Sequence, residues 1–173
     1  HRPDRTLGPR RWASRQWICC RLSFKGRHRT VMSPNRYTEL FFLDEATALA
    51  AGHRPCFECR REDARAFAEA WRRARGLSVP PSAAEMDRVL HGERVAADGS
   101  KLTFAAPLAA LPAGTMVRWL GASAAVLAGG DGSRGVGLLP WTAGGYGPEH
   151  IAAGPETKVD VLTPETIVGV LRA

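Results

Sequence analysis

The residues with the clearest chemistry are two cysteines in the run Cys56-Phe-Glu-Cys59. Two thiolates at this spacing, on a tight turn before a helix, can hold one metal ion about 2.3 Å from each sulfur. The flanking cations Arg54, Arg60 and Arg61 would lower the pKa of the thiols and favour the thiolate form. We therefore predict a structural zinc site, with Zn2+ as the cofactor.

The C-x-x-C spacing is also typical of two kinds of site that hold no metal. A redox pair of the thioredoxin type carries the same motif, although no βαβ unit surrounds Cys56. A disulfide between Cys56 and Cys59 is favoured only if the protein is secreted. Both alternatives stay open beside the metal site.

A structural zinc site needs four ligands, so two must come from elsewhere. Cys19 and Cys20 are adjacent on a predicted strand, where neighbouring side chains point to opposite faces. Cys20 shares its face with the apolar residues Ile18, Leu22 and Phe24, and this face should look toward Cys56 and Cys59. We predict that Cys20 is the third ligand and that Cys19 is not a ligand.

Three histidines are candidates for the fourth ligand. His53 is too close to Cys56 in the chain to complete a tetrahedron easily, and His28 lies in a long basic loop. We expect His1 to be the ligand, because chain ends are usually disordered unless something such as a metal bond anchors them. His28 and Cys19 remain alternatives, as does a His1 that binds nothing.

The first 36 residues are strongly basic. They contain ten Lys or Arg and one acid, Asp4, which gives a charge of about +9, while the rest of the chain carries about −2 of the total of +7. Such a segment attracts polyanions, and interleaved aromatic residues such as Trp12, Trp17 and Tyr37 suit base stacking. The alternative is a solvated arm that only aids solubility. The predicted nucleic-acid contacts are Arg10, Arg11, Arg15, Arg21, Lys25, Arg27 and Arg29.

Two strands are predicted to position Cys20. Residues 17–24 (WICCRLSF) alternate well enough for a strand, and residues 37–43 (YTELFFL) are rich in strand-forming residues. A long basic loop joins them. We therefore expect them to pair as a hairpin.

Three helices should follow the hairpin. Asp44 can cap a short helix that ends at Gly52, and residues 61–75 place apolar side chains at a spacing of three to four. Ser82 with Glu85 forms a capping box for a third helix. The apolar stripe of the second helix is Ala64, Phe67, Ala68 and Trp71, and that of the third is Met86, Val89 and Leu90.

From about Lys101 the pattern changes to short apolar runs separated by glycine and proline. Five strands are predicted, at 102–104, 116–120, 124–127, 136–139 and 159–162, followed by a final helix that begins near Pro164. Together they suggest a small antiparallel sheet or barrel. The fold class is therefore α+β: a zinc-binding hairpin and helix module over 1–76, and a β-rich, barrel-like half over 82–173 that opens with a helix.

Residues 17–61 resemble the metal-binding domain at the N-terminus of the Ada DNA-repair methyltransferases. That domain has an Ala-rich helix followed by Gly, an aromatic residue and Arg-Pro-Cys-x-x-Cys, and here LDEATALAAGHRPCFEC follows the same order, with His53 in the aromatic position. In that family four cysteines hold zinc, and one accepts a methyl group from a DNA phosphotriester. The resemblance implies that Cys56 and Cys59 are the second ligand pair.

The chain departs from the family at the first ligand pair. The family spacing there is Cys-x-x-x-Cys, whereas Cys20 is followed four residues later by Phe24. A four-thiolate site does not carry over, and the methyl-acceptor role does not carry over with it. The whole chain also resembles a group of bacterial proteins that share the stretch RYTELFFLDEATALAAGHRPC, a likeness that implies no function.

The leading hypothesis is a zinc-stabilised nucleic-acid-binding protein, with DNA as the expected partner and a cytoplasmic, bacterial setting. One alternative is an enzyme with a pocket between the two halves, around His91, Trp141 and Tyr146. Another is an interaction module in a larger assembly. No apolar run approaches the length of a membrane span, and the sequence indicates no catalytic motif and no oligomeric state.

Overall fold

The computed structural model describes residues 1–4, 6–27, 30–127, 135–151 and 154–173. The first half of the chain contains two very short strands and three helices. In chain order these elements are β1 (Ile18–Cys19), α1 (Glu45–Ala50), β2 (Arg54–Pro55), α2 (Arg61–Ala74) and α3 (Ala83–Arg94).

The helix ends follow local sequence signals, as predicted. The Asp44 side chain accepts a hydrogen bond from the backbone N–H of Thr47 at 2.8 Å and so caps α1. Gly52, just beyond α1, has a φ of +83°, which is unstrained only for glycine. Ser82 and Glu85 form the complete capping box of α3.

The second half forms an antiparallel sheet. Its strands in the described ranges are β3 (Phe104–Pro107), β4 (Met116–Trp119), β5 (Ala122–Val126), β6 (Gly137–Thr142), β7 (Gly145–Tyr146), β8 (His150–Ile151) and β9 (Lys158–Val161). The order of these seven strands is β3-β9-β4-β5-β6-β7, with β8 also pairing with β6. The apolar face of the sheet includes the fully buried Val117, Leu138 and Val161.

The mixed α+β class is confirmed, but the barrel is not. Among the described strands β3 lies at one edge of the sheet and β7 at the other, and the two do not pair. Closure requires hydrogen bonds between the edge strands. The two-residue β7 and β8 offer little backbone for them, so the sheet remains open.

The helices of both halves share one hydrophobic cluster. It combines Phe67 and Trp71 of α2, Met86 and Leu90 of α3, and Ile167 of the last helix, α4 (Glu165–Arg172). All four residues predicted for the buried stripe of α2 are buried, and so are Met86 and Leu90 of α3. The division into 1–76 and 82–173 stays a prediction, and this core draws side chains from both sides of it.

The predicted hairpin is wrong. Residue pairing in β1 is parallel and joins it to β2, with Ile18 opposite Arg54 and Cys19 opposite Pro55. The segment 37–43 contains no strand. Strand β1 is also much shorter than predicted, because its backbone groups find partners only over the two residues of β2.

A buried ion pair ties β2 to α3. The guanidinium of Arg54 donates two hydrogen bonds to the Asp87 carboxylate, from Nε to Oδ1 and from Nη2 to Oδ2, each at 2.8 Å. Both side chains are only 4% exposed. Paired bonds to both oxygens are the geometry that best compensates two buried charges for lost water.

A second buried arginine joins α3 to the N-terminal segment. Arg94 donates to the carbonyl oxygens of Gly52 at 2.7 Å and Arg15 at 2.8 Å, and its guanidinium stacks 4.0 Å from the Trp17 ring centroid. A side chain at Gly52 would clash with Arg94, whose Cδ lies 2.5 Å from where a Cβ would be. The Arg94 side chain therefore occupies the space that a side chain at position 52 would need.

Asp87→Ala should destabilise the fold by about 3–5 kcal/mol, because it leaves the Arg54 charge buried without a partner. Chemical denaturation measures this free energy of unfolding. The matched control is Asp160→Ala, since Asp160 pairs with Arg118 at 3.8 Å on the exposed surface and its loss should change stability little. Equal effects of the two substitutions would contradict the anchoring role of Asp87.

Candidate metal centre

Three of the predicted ligands come together. The sulfur atoms of Cys20, Cys56 and Cys59 all lie within 4.8 Å of one another. Three thiolates at about 2.3 Å from one tetrahedral ion would be about 3.8 Å apart, which is compatible with the 4.8 Å limit on these distances. These three cysteines could therefore hold a metal ion.

The pairing of β1 with β2 explains why the cysteines meet. Because Cys19 is opposite Pro55, the next residues in register are Cys20 and Cys56, and the Cys56 N–H donates to the Cys19 carbonyl oxygen at 3.2 Å. Neighbours in parallel register project to the same side of a strand pair. The turn that follows is closed by an Arg60 N–H bond to the Cys56 carbonyl at 3.0 Å, and it brings Cys59 back to the same side.

Backbone donors point at two of the sulfurs. The N–H of Arg21 lies 3.3 Å from Cys59 Sγ, and the N–H of Glu58 lies 3.4 Å from Cys56 Sγ. Burial acts to raise the pKa of Cys56, but hydrogen bonds to its sulfur outweigh burial and bring the pKa below its usual value. These donors stabilise the thiolate form, which is the form that binds metal.

Cys20 differs from Cys56 in its acidity. Partial desolvation of the thiol, followed by the neighbouring charges of Cys56 and Cys59, raises the pKa of Cys20 to about 12. Three thiolates cannot accumulate this close together without a compensating cation. A bound metal ion would supply that charge and displace the Cys20 proton.

Cys19 lies outside the cluster, as expected. Its sulfur accepts a hydrogen bond from Arg60 Nη1 at 3.6 Å, and burial raises its pKa. Arg60 is itself fixed by ion pairs with Glu45 at 2.6 Å and Asp63 at 2.7 Å. Cys19 thus takes part in a polar network beside the three clustered thiols.

The prediction of His1 as fourth ligand is not supported, because both ring nitrogens face other groups. Nδ1 lies 3.3 Å from Thr38 Oγ1, and Nε2 lies 3.1 Å from the Ser33 carbonyl oxygen. The alternative ligand His28 lies outside the described residues. Within the described ranges no fourth His, Cys, Asp or Glu joins the three cysteines.

Phe24 and His53 occupy the two positions where the chain departs from the Ada pattern. The Phe24 ring lies against two cations, 5.2 Å from Lys25 Nζ and 5.7 Å from the Arg27 guanidinium. His53 is buried between aromatic rings, with centroids 5.2 Å from Trp17 and 4.6 Å from Phe42. Neither residue contributes to the thiol cluster.

The predicted nucleic-acid contacts divide into two groups. Arg21, Lys25 and Arg27 are exposed beside the cluster, and Arg27 pairs with Glu58, inside the Cys56–Cys59 turn, at 2.7 Å. The second group lies earlier in the chain and consists of Arg10, Arg11 and Arg15, all exposed. Arg29 lies outside the described residues.

The residues of the enzyme alternative do not converge on a described cavity. His91 packs against Trp12 with ring centroids 4.3 Å apart, and the Tyr146 hydroxyl donates to Asp44 at 2.5 Å. Trp141 and Tyr146 do come together as cross-strand partners of β6 and β7, and both pack against a small cluster that includes Ala50. Two surface grooves, of about 420 and 490 Å3, are lined by other residues. The enzyme alternative therefore stays a prediction.

The residues that anchor the site were not among those predicted from the sequence. The sequence shows Arg54 only as a charge near the thiols, although its side chain is buried against Asp87. A signal was present, because Asp87 falls three residues before Leu90 on the apolar face of a predicted helix. An acid in such a stripe indicates a buried cationic partner.

The chain matches no protein-family model, no curated protein and no solved structure. The chemistry of the site is therefore inferred from its own geometry. In the described part of the chain, no helix is both long enough and apolar enough to cross a bilayer.

Cys20→Ser and Cys59→Ser should each lose bound zinc, whereas Cys19→Ser should retain it, because only the first two remove a clustered thiol. The measurement is zinc per chain after purification and dialysis. Cys19→Ser is the matched control, since it removes a thiol from the adjacent position. Equal zinc loss in all three variants would contradict the assignment.

His53 should make folding sensitive to acid. Burial, with a smaller effect from the Arg94 charge, lowers the pKa of His53 from 6.5 to about 4. Between pH 6.5 and 4 the unfolded chain binds the proton and the folded chain does not, so stability should fall by up to about 1.4 kcal/mol per pH unit. Denaturation of His53→Leu over this range should show a shallower pH dependence than wild type, and identical slopes would refute the prediction.

Proposed function

We propose that the protein is a zinc-stabilised nucleic-acid-binding protein, with DNA as its expected partner and residues 17–61 as an Ada-like module. The observation that supports this most directly is the position of exposed cations beside the thiol cluster. Arg21 directly follows Cys20, and Arg27 reaches the turn between Cys56 and Cys59. Phosphate groups are the polyanions that such exposed cations bind.

The donor set suits zinc. Cysteine thiolates are the preferred ligands of structural Zn2+, and a site of this kind contributes its binding energy to folding. The chain's own contribution is to hold Cys20 against the Cys56–Cys59 turn through the pairing of β1 with β2. Metal binding would therefore also fix the orientation of Arg21 and the cations that follow it.

The proposal is limited to contacts with the nucleic-acid backbone. Arginine and lysine side chains that pair with phosphates position a protein on the duplex without reading its bases. The methyl-acceptor activity of the Ada family does not form part of it, since Phe24 stands in place of one cysteine.

Affinity for generic duplex DNA should fall steeply with salt, because each neutralised phosphate releases counterions. With about four to six phosphate contacts, the slope of log K against log salt should lie near −4 to −5. Replacing Arg21, Lys25 and Arg27 together with Gln should make the slope shallower by up to about three units while zinc content stays unchanged. A salt titration of fluorescence anisotropy, with duplex DNA and single-stranded RNA as probes, measures this.

The control variant replaces Arg73, Arg118 and Lys158 with Gln. It removes the same charge from exposed positions outside the basic segment and should leave the slope unchanged. No affinity for either probe at low salt would overturn the proposed function. An equal effect of the two triple variants would show that net charge, rather than the basic segment, drives binding.

A further inference from the structure

The segment 37–43 presents apolar side chains to solvent. Tyr37 is 61% exposed, Leu40 55%, Phe41 66% and Leu43 49%. Large exposed apolar side chains that lie close together in the chain mark contact sites more often than single, scattered apolar side chains do. The segment forms no strand, so its composition is not explained by a sheet.

Contacts on the inner side hold this segment in place. Thr38 Oγ1 lies 3.3 Å from the His1 ring, and the Phe42 ring packs on His53 with centroids 4.6 Å apart. His53 is buried, so Phe42 is attached to the body of the protein. The outward side chains of the segment 37–43 therefore project from an anchored backbone.

The chain on the amino-terminal side of this segment is basic, whereas the acid that follows it, Asp44, is bonded to Thr47 and Tyr146. Arg36 directly precedes it, and Arg2 follows His1, whose ring lies against Thr38; both arginines are exposed. The acid within the segment, Glu39, is occupied, since its carboxylate accepts the Met32 N–H at 2.9 Å. Exposed rings next to cations form the combination that binds unpaired bases and their phosphates.

We propose that the segment 37–43 is a stacking surface for single-stranded nucleic acid. Bases stack on the ring of Phe41, and Arg2 and Arg36 contact the neighbouring phosphates. Because bases in a duplex are already stacked and paired, this surface favours single strands over duplexes. The inference rests on the proposed function and adds to it the class of nucleic acid.

The other described aromatic residues of the basic segment have rings that already contact other side chains. Trp17 is half-buried beneath the Arg94 guanidinium, the Phe24 ring lies against Lys25 and Arg27, and Trp12 packs against His91. A second copy of this chain is a poorer occupant of the segment 37–43 than nucleic acid, because the two basic segments of about +9 would repel each other.

The test compares wild type with Phe41→Ala on four probes of equal length: oligo(dT), oligo(U), and mixed-sequence DNA and RNA duplexes. Phe41→Ala should weaken binding to single strands by roughly 5- to 150-fold, the range expected for loss of one base–aromatic stack. Duplex affinity should change less than about twofold. Oligo(dT) and oligo(U) together show whether the surface distinguishes DNA from RNA.

Leu40→Ala is the matched control, because Leu40 is similarly exposed but has no ring, and it should leave all affinities unchanged. Phe41→Trp should bind single strands at least as well as wild type. Circular dichroism checks that each variant folds. Unchanged single-strand affinity in Phe41→Ala, or an equal loss on duplexes, would overturn the stacking surface while leaving the proposed function standing.

Two further outcomes have clear meanings. If wild type binds none of the four probes, the proposed function and the stacking surface both fail. If sedimentation shows a dimer that Phe41→Ala dissociates, the surface belongs to a second copy of the chain and the inference is overturned.

Discussion

The buried pair of Arg54 with Asp87 is the interaction on which the arrangement of the site depends. Strand β2 consists of two residues, and its backbone pairs with that of β1. The Arg54 side chain then fixes the same short strand to α3 with two hydrogen bonds of 2.8 Å. Such a pair gains little net energy once the loss of water is counted, but it is strongly directional. It determines where Cys56, two residues later, lies relative to the helical core.

The helices were predictable because their signals are local. The Asp44 cap, the Ser82 capping box and the apolar stripe of α2 each depend on residues within a few positions of one another. The prediction of a hairpin was wrong because the pairing partner of a strand can come from any of several distant segments, and local sequence does not identify it. Segment 37–43 has the composition of a strand, whereas Arg54–Pro55 is too short to produce a pattern and contains a proline.

The thiol cluster follows from the sequence only in part. Alternation along a strand favours Cys20 over Cys19, but the apolar face expected to look toward Cys56 and Cys59 does not form, since Leu22 is 88% exposed. The parallel register of β1 with β2 places Cys20 beside Cys56, and no pattern in the sequence predicts that register. The prediction of His1 rests on the general behaviour of chain ends rather than on geometry, and its ring faces Thr38 and Ser33 instead.

The buried hydrophobic residues of the described chain begin at Ala48, so the segment before α1 contributes none of them. That segment contributes half-buried rings such as Trp17 and Phe42, the pairing of β1 with β2, and the Arg15 carbonyl bound by Arg94. Opening it exposes less apolar surface than unfolding the helices and the sheet, so we expect its opening free energy to be smaller than that of the core. An ion held by Cys20 together with Cys56 and Cys59 would stabilise its closed form by mass action, in proportion to the logarithm of ion concentration. The order of the most basic part of the molecule would then follow the supply of metal, whereas the helical core and the sheet would depend on it less.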